Sequence, residues 1–122
     1  MIKLISQQDT PQGEMVQWTI GEATEGISWD NSSIIFLSPG LYQVGYSLNA
    51  YGDIAKFPAV HGWIVSKEGR VASYYFPGEG IFAFTGTSIL NVEAGDRISI
   101  LMAWGSNKFI EPNPVQFWAK KL

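Results

Sequence analysis

Apolar and polar positions alternate along this chain with a period of two, most clearly from Leu41 to Ala50. Tyr42, Val44, Tyr46, Leu48 and Ala50 make one wholly apolar side, while Leu41, Gln43, Gly45, Ser47 and Asn49 make a mostly small and polar one. Successive side chains of a strand point to opposite faces, so this segment predicts a strand with one dry face. It opens directly out of a Pro39-Gly40 turn. Ser33 to Leu37 is a short continuous apolar run, and Met15 to Ile20 alternates weakly and is read as a further strand.

Ala59 to Lys67 predicts a strand ending at the turn Lys67-Glu68-Gly69, after which Arg70 to Phe76 resumes. Ser88, Leu90 and Val92 share a face and lead into Glu93-Ala94-Gly95-Asp96, where Gly95 is expected to supply a positive φ that closes a hairpin. Ile98, Ile100, Met102 and Trp104 form the returning apolar face. The last strand runs from Val115 to Leu122, with Phe117 and Ala119 in the core phase and Trp118 and Leu122 pointing out. No window of a dozen residues keeps a helical apolar spacing free of Gly or Pro. Turns roughly every 8–12 residues, joining eight to ten strands, predict an all-β antiparallel sandwich or barrel forming one domain over residues 1–122.

Three stretches carry a family resemblance. "SIIFLSPGLYQVGYSLNA" (Ser33 to Ala50) resembles the signature strand of tumour necrosis factor-like and complement-one-q-type globular heads. "GTSILNVEAGDRISILM" (Gly86 to Met102) resembles the hairpin with a Gly-Asp turn of that family, and "VQFWAKKL" (Val115 to Leu122) resembles its closing strand. The resemblance implies a two-sheet jelly roll of about ten strands that assembles as a three-fold homotrimer. Gly40, Tyr42, Tyr46, Gly95, Asp96 and Phe117 are then its core signature, the two tyrosines filling the space between the sheets. Each phenol needs a hydrogen-bond partner or water there. Gln43, Gly45 and Ser47 suit close approach by a neighbouring subunit, the alternative being a solvated sheet face. The outward Trp118, with Leu122, favours the trimer interface, because an outward tryptophan on a monomer's sheet is costly.

Composition narrows the function classes. The net charge of −3 gives no electrostatic case for nucleic acid, and no apolar run is long enough for membrane insertion. With no cysteine there is neither disulfide framework nor thiolate chemistry, and the sequon Asn31-Ser32-Ser33 is read as unused. The single histidine, His61, has no catalytic partner motif beside it and reads as a structural or exposed imidazole. The eleven acids are dispersed without metal-ligand spacing, Asp96 is a turn former, and the glycines of "PGEG" (Pro77 to Gly80) lack a phosphate-loop context. No catalytic residue, metal or cofactor is therefore assigned.

Aromatics are the richer signal. "YYFPGEGIFAF" (Tyr74 to Phe84) places five aromatic residues around a turn. That pattern suits core plus subunit interface, or a loop that docks on a partner or stacks on sugars. Trp29, Phe76 and Trp104 are the candidate partner-facing loop residues. A chain starting at Met1 with no secretory signal and no collagen stalk fits a virion protein assembled in the cytoplasm of a host. The expected function is a non-enzymatic trimeric module of a bacterial or phage system, such as a capsid-decoration or fibre-tip protein docking on a larger shell or fibre. A secreted or spore-surface adhesive head binding a cell-surface ligand and a monomeric carbohydrate-binding sandwich are the alternatives. The apolar strand "IKLI" within Met1 to Gly13 is either a lendable docking strand or part of the protein's own sheet.

Overall fold

The long alternating segment becomes the pivot of the fold. The computed structural model describes residues 2–23, 26–52, 60–66, 69–76, 80–110 and 115–122. Eleven strands run through them: β1 (Ile2–Ser6), β2 (Ile20–Ala23), β3 (Ile27–Trp29), β4 (Ile34–Phe36), β5 (Gly40–Gly52), β6 (Val60–Ser66), β7 (Gly69–Phe76), β8 (Gly80–Val92), β9 (Arg97–Trp104), β10 (Ser106–Asn107) and β11 (Val115–Lys121). The count reaches eleven because Gly105, at φ +78°, separates the two-residue β10 from β9.

All pairings are antiparallel, in two sheets. In the first, β8 pairs with β5 along its whole length. The other edge of β5 is shared by β11, over Tyr42 to Ser47, and β10, over Ala50 and Tyr51. The order then continues through β1 to β2. The second sheet runs β3-β4-β9-β6-β7.

The apolar phase of β5 is buried as its alternation predicts: Tyr42, Val44, Tyr46 and Leu48 are at most 2% exposed. Antiparallel partners project to the same face, so Phe117 opposite Tyr46 and Ala119 opposite Val44 join them in the core, with Ile2 and Leu4 beyond. Ile34, Phe36, Ile64, Ile98, Ile100 and Met102 complete the interior from the second sheet. The Phe36 and Tyr42 rings meet 4.7 Å apart, and Trp18 tilts against Phe117 at 5.8 Å. The Tyr42 hydroxyl donates to the Ser38 carbonyl at 2.7 Å, which resolves how a buried phenol is satisfied beside the Pro-Gly entry.

Several sequence expectations need correction. Gly95 does take a positive φ of +90°, but its turn is not a hairpin within one sheet. β8 pairs with β5, and β9 with β4 and β6, so the turn carries the chain from one sheet to the other. Leu90 and Val92 thereby face Ile98 and Ile100 across the core. Asp96 shapes this corner: its carboxylate accepts the Glu93 amide at 2.9 Å, while its own amide donates to the Glu93 carbonyl at 3.1 Å.

The expected strand over Met15 to Ile20 begins only at Ile20. Val16 and Trp18 are buried, so the alternation is real, but these residues belong to a strap that leaves β1, crosses the sandwich and returns to pair with β1. It is tied to β9 of the second sheet around one bridge, Met15 opposite Leu101: the Gly13 amide donates to Met102 at 2.6 Å, the Met102 amide to Glu14 at 3.0 Å and the Val16 amide to Ile100 at 2.8 Å. The docking-strand reading of "IKLI" also falls. β1 lies between β11 and β2 with Ile2 and Leu4 fully buried, so it offers no free edge. The proposed turn at Lys67-Glu68 and the "PGE" part of the Pro77 to Gly80 connection lie outside the described residues.

Candidate functional site: the outer face of the six-stranded sheet

Facing away from the core, the first sheet carries cross-strand rows fixed by register. One row reads Ile20, Ile5, Gln116, Ser47, Thr85 from β2 to β8. The next reads Glu22, Lys3, Trp118, Gly45, Thr87. Lys120, Gln43 and Ile89 follow, and then Leu41 beside Asn91. Leu122 extends the last row, its amide donating to the Leu41 carbonyl at 2.9 Å. Tyr51 lies on the same side towards the far end of β5.

Six large apolar side chains are exposed among the described residues: Ile20, Leu37, Leu41, Tyr51, Ile89 and Leu122, at 41–63%. Five of them lie on this face; Leu37, in the turn after β4, is the exception. Five large apolar side chains exposed on one sheet face, Leu41, Ile89 and Leu122 near one end and Ile20 and Tyr51 apart from them, suit a surface that another chain covers.

At the centre of the face stands Trp118, opposite Gly45 in register. Its indole lies flat on the glycine: a Cβ built at Gly45 would come within 2.7 Å of Nε1 and collide with Cε2 and Cζ2. Gly45 is consequently buried although it faces outward, and Trp118 is only partly exposed. The absence of a side chain at position 45 thus lets a large aromatic lie down along the sheet instead of projecting into water. Small residues around it, Ser47, Thr85 and Thr87, keep the surface shallow enough for close approach.

Of the residues singled out by sequence, Trp118, Leu122, Gln43, Gly45 and Ser47 come together on this face. Gly40 opens β5 at φ +142°, Tyr42, Tyr46 and Phe117 are buried, and Gly95 and Asp96 make the sheet-to-sheet corner. Trp29, Phe76 and Trp104 are not loop residues: each is the last residue of a strand, β3, β7 and β9 respectively. Trp29 is partly buried and packed against the core, with ring carbons 2.6 and 2.8 Å from a Cβ built at Gly21, so it covers the margin between β2 and β3. The side chains of Phe76 and Trp104 lie outside the described residues.

Sequence reasoning missed Ile20, Tyr51 and Ile89 as members of the face. Ile89 was within reach, since an inward Leu90 and Val92 leave Ile89 outward by period alone. Ile20 joins only through its register with Ile5, which no local pattern encodes.

Ionisations perturbed by the fold lie elsewhere. Asp30 is held below the ordinary 3.8 by the Ser33 amide at 2.8 Å, assisted by Arg97 at 2.9 Å and the Ser32 amide. Asp9 is likewise lowered by the Phe109 amide at 2.9 Å and by Lys108 at 3.2 Å. Both are turn acids with roughly half-exposed side chains. Among the described residues no three His, Cys, Asp or Glu side chains gather to hold a metal.

No protein-family model matches the chain, and no curated protein sequence matches it. Its fold is similar to that in the crystal structure of murine APRIL at pH 5.0, a jelly roll of the tumour necrosis factor family. The TM-score is 0.69 at 18% identity, covering 99% of this chain and 97% of that one. The two-sheet topology and this likeness together give the chain a tumour necrosis factor-like jelly-roll fold.

Proposed function

We propose that this protein is a non-enzymatic homotrimeric binding module, assembled through the outer face of the β2-β1-β11-β5-β8 sheet around a three-fold axis. The observation that carries this reading is the concentration of exposed Ile20, Leu41, Tyr51, Ile89 and Leu122 on that face, around the flattened Trp118–Gly45 pair. An aromatic anchor flanked by Lys3 and small polar residues, with exposed apolar side chains towards the margins of the same face, suits a subunit interface of mixed character. The trimer leaves the second sheet and the sandwich ends for a partner. We place that partner on a virion, where the module serves as a capsid-decoration or fibre-tip protein. A chain without cysteine suits assembly in a reducing compartment.

A matched pair of charge substitutions tests the assembly. Ile89 and Leu37 are similarly exposed, at 61% and 57%, but only Ile89 lies on the proposed interface. Ile89→Asp should dissociate the trimer into folded monomers in sedimentation velocity, and Leu37→Asp should leave it intact. Equal behaviour of the two variants would remove this face as the interface and favour a monomeric sandwich.

A further inference from the structure

The described residues include three buried polar side chains, and all sit at one end of the interior: Ser6, Thr10 and Asn107, none more than 2% exposed. Ser6 closes β1, and its hydroxyl donates to the Gln17 carbonyl at 2.6 Å, so the chain satisfies it. The other two differ. Thr10 Oγ1 and both Asn107 Oδ1 and Nδ2 are buried with no protein hydrogen-bond partner.

These two residues face each other. Thr10 and Asn107 exchange both backbone hydrogen bonds, at 2.8 Å each, which makes them a directly opposed antiparallel pair with side chains on one side. Asn107 sits opposite Ala50 in register, which places it on the interior side of β5's far end. Thr10 belongs to the strap between β1 and β2, whose outer flank is fastened separately by Asp9 to Lys108 and to the Phe109 amide. The buried flank of the same junction has three polar atoms, a hydroxyl oxygen, a carbonyl oxygen and an amide nitrogen, facing one another's neighbourhood without a chain partner.

We propose that Thr10 and Asn107 form an internal hydration site that holds a structural water and fastens the strap to β10. A buried water characteristically makes two to four hydrogen bonds to polar groups that the chain leaves unmet. Here it donates to Asn107 Oδ1 and Thr10 Oγ1 and accepts one of the two Asn107 Nδ2 hydrogens, so each of the three atoms gains a partner. A carboxamide buried opposite a hydroxyl, neither bonded to the chain, offers such a water the polar partners that two aliphatic residues would not.

A crystal structure of the protein that resolves ordered solvent, together with urea unfolding of Thr10→Val, tests the site. The expected result is a solvent peak about 2.7–3.2 Å from Thr10 Oγ1 and from the Asn107 carboxamide. Thr10→Val, nearly isosteric, should then lower the folded-to-unfolded ratio about tenfold by stranding the carboxamide. A dry gap between the two side chains, or a direct bond between them, would overturn the proposal. So would a Thr10→Val protein as stable as the parent. Should Thr10→Val fail to fold, the solvent structure of the parent protein decides alone.

Discussion

Substituting Gly45 by alanine places a methyl group where the Trp118 indole now lies. The added Cβ would stand 2.7 Å from Nε1, whereas carbon contacts settle near 3.5–4.0 Å, so the ring must lift by roughly 1 Å or rotate off the sheet. Inside one subunit this is tolerable, because the indole lies on the outer face and can move towards solvent. In a trimer it cannot, since the lifted ring occupies the space of a neighbour. Tryptophan carries up to about 250 Å² of surface, and the part that Trp118 still exposes is on the order of 60 Å². At about 25 cal/mol per Å² that surface contributes about 1.5 kcal/mol per subunit, or about 4.5 kcal/mol per trimer. A tenfold change per 1.4 kcal/mol makes this about three decades in the association constant. The midpoint concentration of a monomer–trimer equilibrium varies as the square root of that constant, so it should rise about forty-fold. Sedimentation velocity over a dilution series measures the midpoint, and circular dichroism checks that the monomer stays folded. A Gly45→Ala protein with an unchanged midpoint would refute the placement of the Trp118–Gly45 pair at the interface.

Two further outcomes follow from the packing and the turn acids. Deleting residues 2–6 removes Ile2 and Leu4 from the core and leaves β11 and β2 without their shared partner. Loss of two such side chains, at about 2–5 kcal/mol each, rivals the whole stability of a small domain, so the truncated protein should be unfolded by circular dichroism at every concentration. Asp30 and Asp9 titrate below the ordinary 3.8, so their charged forms favour the fold. The stability they supply is complete above about pH 5 and is lost as the pH falls through 3.8 and the depressed values below it. Urea midpoints should decline over that acid range, and Asp30→Asn should lower stability at neutral pH while making the acid decline shallower; an unaltered slope would contradict the assignment.

How far the sequence speaks differs by element. The Leu41 to Ala50 alternation specified both faces of β5, and the Val115 to Leu122 phase put Phe117 inside and Trp118 outside, because a two-residue period is decided locally. The Glu93 to Asp96 turn was legible from Gly95, yet the sheet that each flanking strand joins was not. A sandwich corner and a hairpin use similar turn residues, and only long-range pairing tells them apart. The strap over residues 7–19 looked like a strand because Val16 and Trp18 alternate with polar neighbours, an alternation kept by their burial and by a few backbone bonds to β9 and Asn31 that do not extend into a full ladder. Thr10 and Asn107 gave no signal, since a buried polar pair has no periodicity of its own. The outer face of the first sheet was half visible: Trp118 and Gly45 sit in strands whose phase is plain, whereas Ile20 reaches the face only through pairing with Ile5.

The mass of the intact protein in solution tests the three-fold assembly most directly. Light scattering coupled to size exclusion at micromolar concentration should give about three times the 13.5 kDa chain mass, unchanged by reductant because the chain has no cysteine. A single species of 13.5 kDa that persists as the concentration is raised would contradict it.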